Sequence, residues 1–165
     1  MTLTPLEALT QQAQARPKSA AFIFHDEAWT YERILHAAEA VARGMASRGV
    51  RRGDRVALHM MNRPEFIIAY YACFRLGATA APLRTAFKLA ELAPLLQRLE
   101  PALYIGERDL YPNVAAVDGA ILPRDKRVIV GATTPGHDGL PWEKLLEAAG
   151  SEPASAGRAA DEAAV

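Results

Sequence analysis

Apolar and polar positions along this chain follow two periods, one of helix and one of strand, and the changeovers fall at glycines and prolines. Residues 3–15 place Leu6, Leu9 and Ala13 on one side of a helix, with Thr4 as its cap ahead of Pro5. Residues 21–25 read as a strand turned at Asp26 and Glu27 into Trp29, so a hairpin is expected. Thr30 caps a longer helix in which Tyr31, Ile34, Leu35, Ala38, Val41, Ala42 and Met45 recur at three- and four-residue spacing. Glu32, Arg33, Glu39 and Arg43 occupy its other faces. Gly49 stops it, and Val50 supplies the apolar contact that accompanies such an ending.

Residues 53–82 carry the clearest pattern. Gly53 and Asp54 turn the chain into an apolar run, 55–60. Asn62 can cap the next helix, and Pro64 sits in a first turn that tolerates a missing N–H. Residues 66–74 are apolar all round, so this helix is expected to be buried. Gly77 ends it where a left-handed residue is wanted, and 78–81 resume an extended run. Two strands joined by a helix make a βαβ unit with a parallel pair.

Downstream, residues 88–99 are a helix candidate with Leu89, Leu92, Leu95, Leu96 and Leu99 in one stripe. An internal proline costs ~3 kcal/mol, so Pro94 implies a kink or a regular part that begins near Ala93. Pro101 closes the helix, and 102–105 read as strand. A short helix within 107–117, a strand at 127–130, a turn-rich loop at 131–141 and a helix at 142–149 follow. Residues 150–160 are rich in Gly, Ala, Ser and Pro and are expected to be mobile. Strands alternating with helices predict an α/β fold, a layered and mostly parallel sheet with flanking helices.

Composition narrows the function classes. The chain has 165 residues, half of them hydrophobic, with 19 basic and 19 acidic side chains. One domain with a sizeable core is the default at this length. A nucleic-acid partner would show as a basic excess or stripe, and none exists. Arg48, Arg51, Arg52 and Arg55 cluster around a turn, where a solvated helix end is favoured over a phosphate site. Cys73 is the only cysteine and falls inside an apolar helix, as a small buried hydrophobe would. No apolar run approaches the ~18 residues of a membrane span. No secretory segment leads the sequence, so a cytoplasmic location is expected.

Standard motifs for dinucleotide binding, phosphate loops and serine hydrolases do not occur. His25, His36, His59 and His137 sit in separate elements without metal-ligand spacing. His59 stands near the carboxyl end of a strand and is read as a hydrogen-bonded structural histidine. The acidic pairs Asp26–Glu27 and Asp161–Glu162 are read as solvated.

The wording of these segments resembles the N-terminal region of the acyl-adenylate-forming superfamily, in particular its acyl-CoA ligases. G-D-R-V-A-L at 53–58, N-R-P-E-F at 62–66, R-L-G-A at 75–78 and A-P-L at 81–83 carry the likeness. Trp29, Thr30 and Tyr31 before a glycine-stopped helix, the 91–105 helix and strand, and residues 128–149 agree in order and spacing. The resemblance implies residues 1–150 as part of an α/β subdomain and 151–165 as a flexible lead-in to a phosphate loop. It implies ATP, Mg²⁺ and CoA as the reactants and cofactors of the whole enzyme, which converts a carboxylate to acyl-AMP and then to acyl-CoA. In that family the Ser/Thr/Gly-rich loop, the ribose-binding acid and the carboxylate-side lysine lie further along. This segment alone is therefore expected to be inactive, with the rest of the enzyme as its partner. Catalytic and metal-binding residues are not assigned here.

Ligands in open α/β sheets bind beyond the carboxyl ends of the strands. Arg84, Thr85 and Lys88 follow such an end, and the resemblance places this stretch by the CoA channel. Arg84 departs from the Asn or Asp usual after Pro-Leu. Arg108, after another strand, lies near where some relatives hold the CoA 3′-phosphate. An alternative is a non-catalytic, self-associating module that dimerises through an unpaired sheet edge.

Overall fold

The computed structural model describes residues 3–131 and 139–147. Helix α1 (Pro5–Ala15) begins with a reciprocal cap, in which the Glu7 N–H donates to Thr4 Oγ1 and the Thr4 N–H to the Glu7 carboxylate. Strands β1 (Ala20–Phe24) and β2 (Glu27–Thr30) pair antiparallel as a separate hairpin. Its turn is His25–Asp26 rather than Asp26–Glu27. Both residues have positive φ, 46° and 62°, as a two-residue hairpin turn of matching twist requires.

Helix α2 (Tyr31–Ser47) is capped by the Thr30 hydroxyl, and it buries Ile34, Ala38, Val41, Ala42 and Met45. Gly49, at φ 85°, ends it with the two bonds of a Schellman motif, Gly49 N–H to Ala46 and Val50 N–H to Met45. Both the face and the stop agree with the periodicity of the sequence.

The main sheet has five parallel strands in the order β4-β3-β5-β6-β7. These are β3 (Arg55–His59), β4 (Thr79–Pro82), β5 (Leu103–Glu107), β6 (Arg127–Val130) and β7 (Leu140–Pro141). Helix α3 (Pro64–Leu76) connects β3 to β4, and α4 (Leu89–Leu99) connects β4 back across β3 to β5. The connection reverses direction, so crossovers of constant hand put the two helices on opposite faces. Val56, Leu58, Leu103, Ile105, Val128 and Val130 pack against α2, α3 and α6 (Glu143–Glu147). Ala57, Tyr104 and Ile129 pack against α4 and α5 (Pro112–Ala115). The strands are apolar on both sides because both sides are covered.

Several expectations are corrected. Residue 63, not Asn62, occupies the cap of α3, and its side chain makes no capping bond because a guanidinium has no acceptor to offer the free N–H groups. Nor is α3 buried all round. Ile68, Ala69, Ala72 and Cys73 face the core, while Phe66, Ile67, Tyr70 and Tyr71 are half-buried and Phe74 is exposed. Helix α4 runs through Pro94 from Leu89, with the Glu91 carboxylate accepting from the Lys88 N–H. Pro94 lies on the exposed side, and only Leu92 and Leu96 of the leucine stripe are fully buried. Strand β5 starts one residue later and runs two further than 102–105. Leu140–Pro141, read as loop, pairs with β6 as a fifth strand. Residues 150–160, the 151–165 lead-in, His137 and Asp161–Glu162 lie outside the described residues.

Candidate functional site

All the parallel strands end on one edge, and the candidates Arg84, Thr85, Lys88 and Arg108 follow two of those ends. Beyond β4 the Leu83 N–H donates to the Leu58 carbonyl, 2.8 Å away, so the segment after β4 stays tied to β3. Arg84, exposed, lies with its guanidinium carbon 5.7 Å from the centre of the Phe87 ring. Thr85 is half-buried, and Lys88 is exposed at the cap of α4. Arg84, Thr85 and Lys88 thus all lie in the short segment that links β4 to α4. Arg108 stands apart, beyond β5 and on the far side of β3, paired with its neighbour Asp109 at 3.4 Å.

Between the two groups lies a network that the sequence did not reveal. Glu107, at the end of β5, accepts from the Met61 N–H at 3.0 Å and from Arg63 at 3.0 Å. Arg63 also holds Glu65, with Nε 2.8 Å from the carboxylate. Burial works against the Arg63 charge, yet the two carboxylates outweigh it and hold the guanidinium pKa above its ordinary value. Strands β3 and β5 are neighbours whose onward connections leave in opposite directions. Such a switch point is where open α/β sheets usually admit a ligand. Here the Arg63–Glu107 pair spans the loop after β3 and the end of β5.

His59, the last residue of β3, is fully buried on the α4 side of the sheet. Its Nδ1 shares a 2.9 Å hydrogen bond with the Tyr104 hydroxyl. His59 lies opposite Gly106 in the parallel register, and Tyr104 is two residues back on the same strand face. The Tyr104 ring reaches along β5 over Gly106 to make the bond. Burial lowers the imidazole pKa, with the Arg84 carbonyl and Glu107 opposing and Lys88 reinforcing, so the ring is neutral at pH 7. Burial likewise raises the Tyr104 hydroxyl pKa. The hydrogen-bonded structural histidine read from the sequence is what the fold contains.

Gly106 makes this bond geometrically feasible. A Cβ there would lie 2.1 Å from the Tyr104 hydroxyl oxygen. Gly106→Ala is therefore expected to push the ring off His59 and cost about 1–3 kcal/mol, as overpacking does. Chemical denaturation measures this, and a loss well under 1 kcal/mol would mean that the ring accommodates the methyl group.

Cys73 is buried and its thiol is pushed up to about 12, so it is an inert core side chain. No group of three or more acidic, histidine or cysteine side chains suited to a metal ion occurs among the described residues. No helix among them is long and apolar enough to cross a membrane.

Comparison with known proteins adds the following. The sequence profile described as AMP-binding enzyme matches residues 9–165. The medium-chain fatty-acid–CoA ligase of Escherichia coli is 32% identical over 114 residues, 68% of this chain and 20% of that protein. The 2-succinylbenzoate–CoA ligase of Bacillus velezensis is 38% identical over 90 residues, 54% of this chain and 18% of that one. Among solved structures, coronafacic acid ligase from Pectobacterium brasiliense superposes with a TM-score of 0.81 over 88% of this chain and 29% of its own, at 22% identity. A benzoate CoA ligase from Burkholderia xenovorans gives 0.78 over 98% of this chain and 32% of its own, at 19% identity. The chain spans about a fifth of the length of these curated relatives.

Proposed function

This chain belongs to the AMP-binding enzyme family, and on that footing we propose that it forms the N-terminal part of an ATP-dependent carboxylate–CoA ligase, with residues 84–88 lining the path of the thiol. The reaction is the attack of a carboxylate on the α-phosphate of ATP, releasing pyrophosphate, then thiol attack on the acyl-AMP, releasing AMP. Similar proteins carry CoA ligase names of three kinds, for medium-chain fatty acids, 2-succinylbenzoate and crotonobetaine or carnitine. The single observation that supports the residue assignment is the position of Arg84, Thr85 and Lys88, all in the short segment that leaves the carboxyl end of β4 for α4. Two cations and a hydroxyl there suit the phosphates and amides of CoA. Arg108 is the weaker member, since Asp109 already takes part of its charge. We assign ATP and Mg²⁺ to other parts of the enzyme, because these 165 residues contain no glycine-rich loop with a lysine to cradle a triphosphate.

Chemical-shift mapping tests the assignment. Titrating CoA into the isotopically labelled chain is expected to move the amides of 84–88 first, with smaller shifts at 107 and 108. Shifts confined to α1 or the hairpin, or none at millimolar CoA, would refute it.

A second reading rests on the apolar surface. Phe74 is 39% exposed beside half-buried Phe66, Tyr70 and Tyr71, and β4 is an edge of the main sheet among the described residues. An aromatic strip next to an open edge favours self-association. Light scattering at tens of micromolar separates the readings, since a strict monomer excludes the second.

A further inference from the structure

His59 has one ring nitrogen engaged and one without a partner. Nδ1 is bound to Tyr104, whereas Nε2 is buried and meets no acceptor or donor in hydrogen-bond geometry. A fully buried imidazole with an idle nitrogen is costly, so the fold should have a use for it. Three features of the backbone show where that nitrogen can act. Leu58 pairs with Pro82 in the β3–β4 register, and the Leu83 N–H donates to the Leu58 carbonyl. His59 is therefore level with Leu83 on the neighbouring strand, and residue 84 leaves the sheet beside it. An acceptor on the Arg84 backbone also opposes the burial that lowers the imidazole pKa, although no ordinary hydrogen bond is closed.

We infer that His59 is a positioning residue for residues 84–88, the Tyr104 hydroxyl donating to Nδ1 so that the proton resides on Nε2 and is offered to the Arg84 carbonyl. The tautomer follows from the partner. If Tyr104 donates, Nδ1 is the acceptor, and a neutral ring then carries its hydrogen on Nε2. That hydrogen anchors the turn from below, while the side chains of Arg84 and Lys88 remain free to face a ligand. The charged groups around the ring are Lys88 on the turn itself and Glu107 on β5, with Arg63 reaching it only through Glu107. The consequence for CoA rests on the function proposed above, but the anchoring does not.

Two measurements decide it. The ring ¹⁵N spectrum of the unaltered chain at pH 7 is expected to show Nε2 protonated and Nδ1 bare; the opposite tautomer would overturn the inference whatever the variants do. In amide exchange, His59→Leu is expected to speed residues 84–88 roughly tenfold, the scale of one lost hydrogen bond, with β5 and β6 unchanged. His59→Gln keeps an N–H near the position of Nε2 and is expected to restore most of the protection. Equal exchange at 84–88 in all three proteins would refute the anchoring. Uniform loss across the sheet in both variants would also refute it, by showing a purely structural role. Because exchange is read without CoA, a failure here is distinguishable from a failure of the CoA assignment.

Discussion

Arg127→Leu is expected to remove about 4 kcal/mol of stability, since each buried carbonyl left without a donor costs ~1–3 kcal/mol and several are stranded together. Arg127 opens β6 and is 1% exposed. Its Nη2 lies 2.7 Å from the Leu122 carbonyl and 3.0 Å from that of Val117. Nε donates again to Leu122, and Nη1 reaches Ala115 at 3.3 Å and Val114 at 3.4 Å. One guanidinium therefore gathers the main chain of 114–122 and fastens it to the sheet, a job for five N–H donors in a planar fork. Leucine fills part of the volume but leaves several carbonyls buried without a donor. Arg127→Lys is expected to recover only a fraction, because one ammonium cannot span acceptors so far apart. Urea unfolding followed by circular dichroism reads both. A loss below 1 kcal/mol for the leucine variant would show that 114–122 is held by packing alone, through Val114, Val117 and Leu122.

Gly44→Val is expected to undock α6 at a cost of about 3 kcal/mol, the burial of one or two large apolar side chains. Gly44 faces α6 so closely that a Cβ would lie 2.2 Å from the Leu145 carbonyl oxygen and 2.7 Å from its Cα. The obstruction is backbone, which cannot rotate away as a side chain would. Releasing α6 exposes Leu145, 0% accessible, and loosens Trp142, 4% accessible. The Trp142 fluorescence of the variant should shift towards that of a solvated indole, and proteolysis should cut near 140–147 before the rest of the sheet. An unchanged tryptophan environment would contradict the contact.

Local pattern made much of this fold legible. The α2 face was written in its spacing, and the stops at Gly49 and Gly77 followed from left-handed geometry that glycine alone adopts cheaply. The βαβ unit at 53–82 was legible because its strands are covered on both faces and so read as unbroken apolar runs. What escaped notice depends on partners distant in sequence. His59 and Tyr104 are 45 residues apart, and Arg63 meets Glu107 across 44. At the head of β6, Arg127 looks like a solvent-facing strand end; only the loop that folds over it makes it a core residue. The exposed side of α3 was missed for a related reason. Composition shows that a helix is apolar all round, but not whether these residues supply enough surface to cover it. As for the site, Arg84, Thr85 and Lys88 are candidates through the topology rule for parallel sheets, which points to the segments just beyond the strand ends. Arg108 is kept away from that segment by the strand order, which sets β3 between β4 and β5.

The most direct test of the proposed function is calorimetric titration of the 165-residue chain with CoA, and separately with ATP–Mg²⁺. Measurable CoA binding, weakened about tenfold by Arg84→Ala or Lys88→Ala as expected for a lost charged contact, is the predicted result, with no heat from ATP–Mg²⁺. Tight ATP binding, or CoA binding indifferent to both substitutions, would contradict the assignment of residues 84–88 to the thiol path.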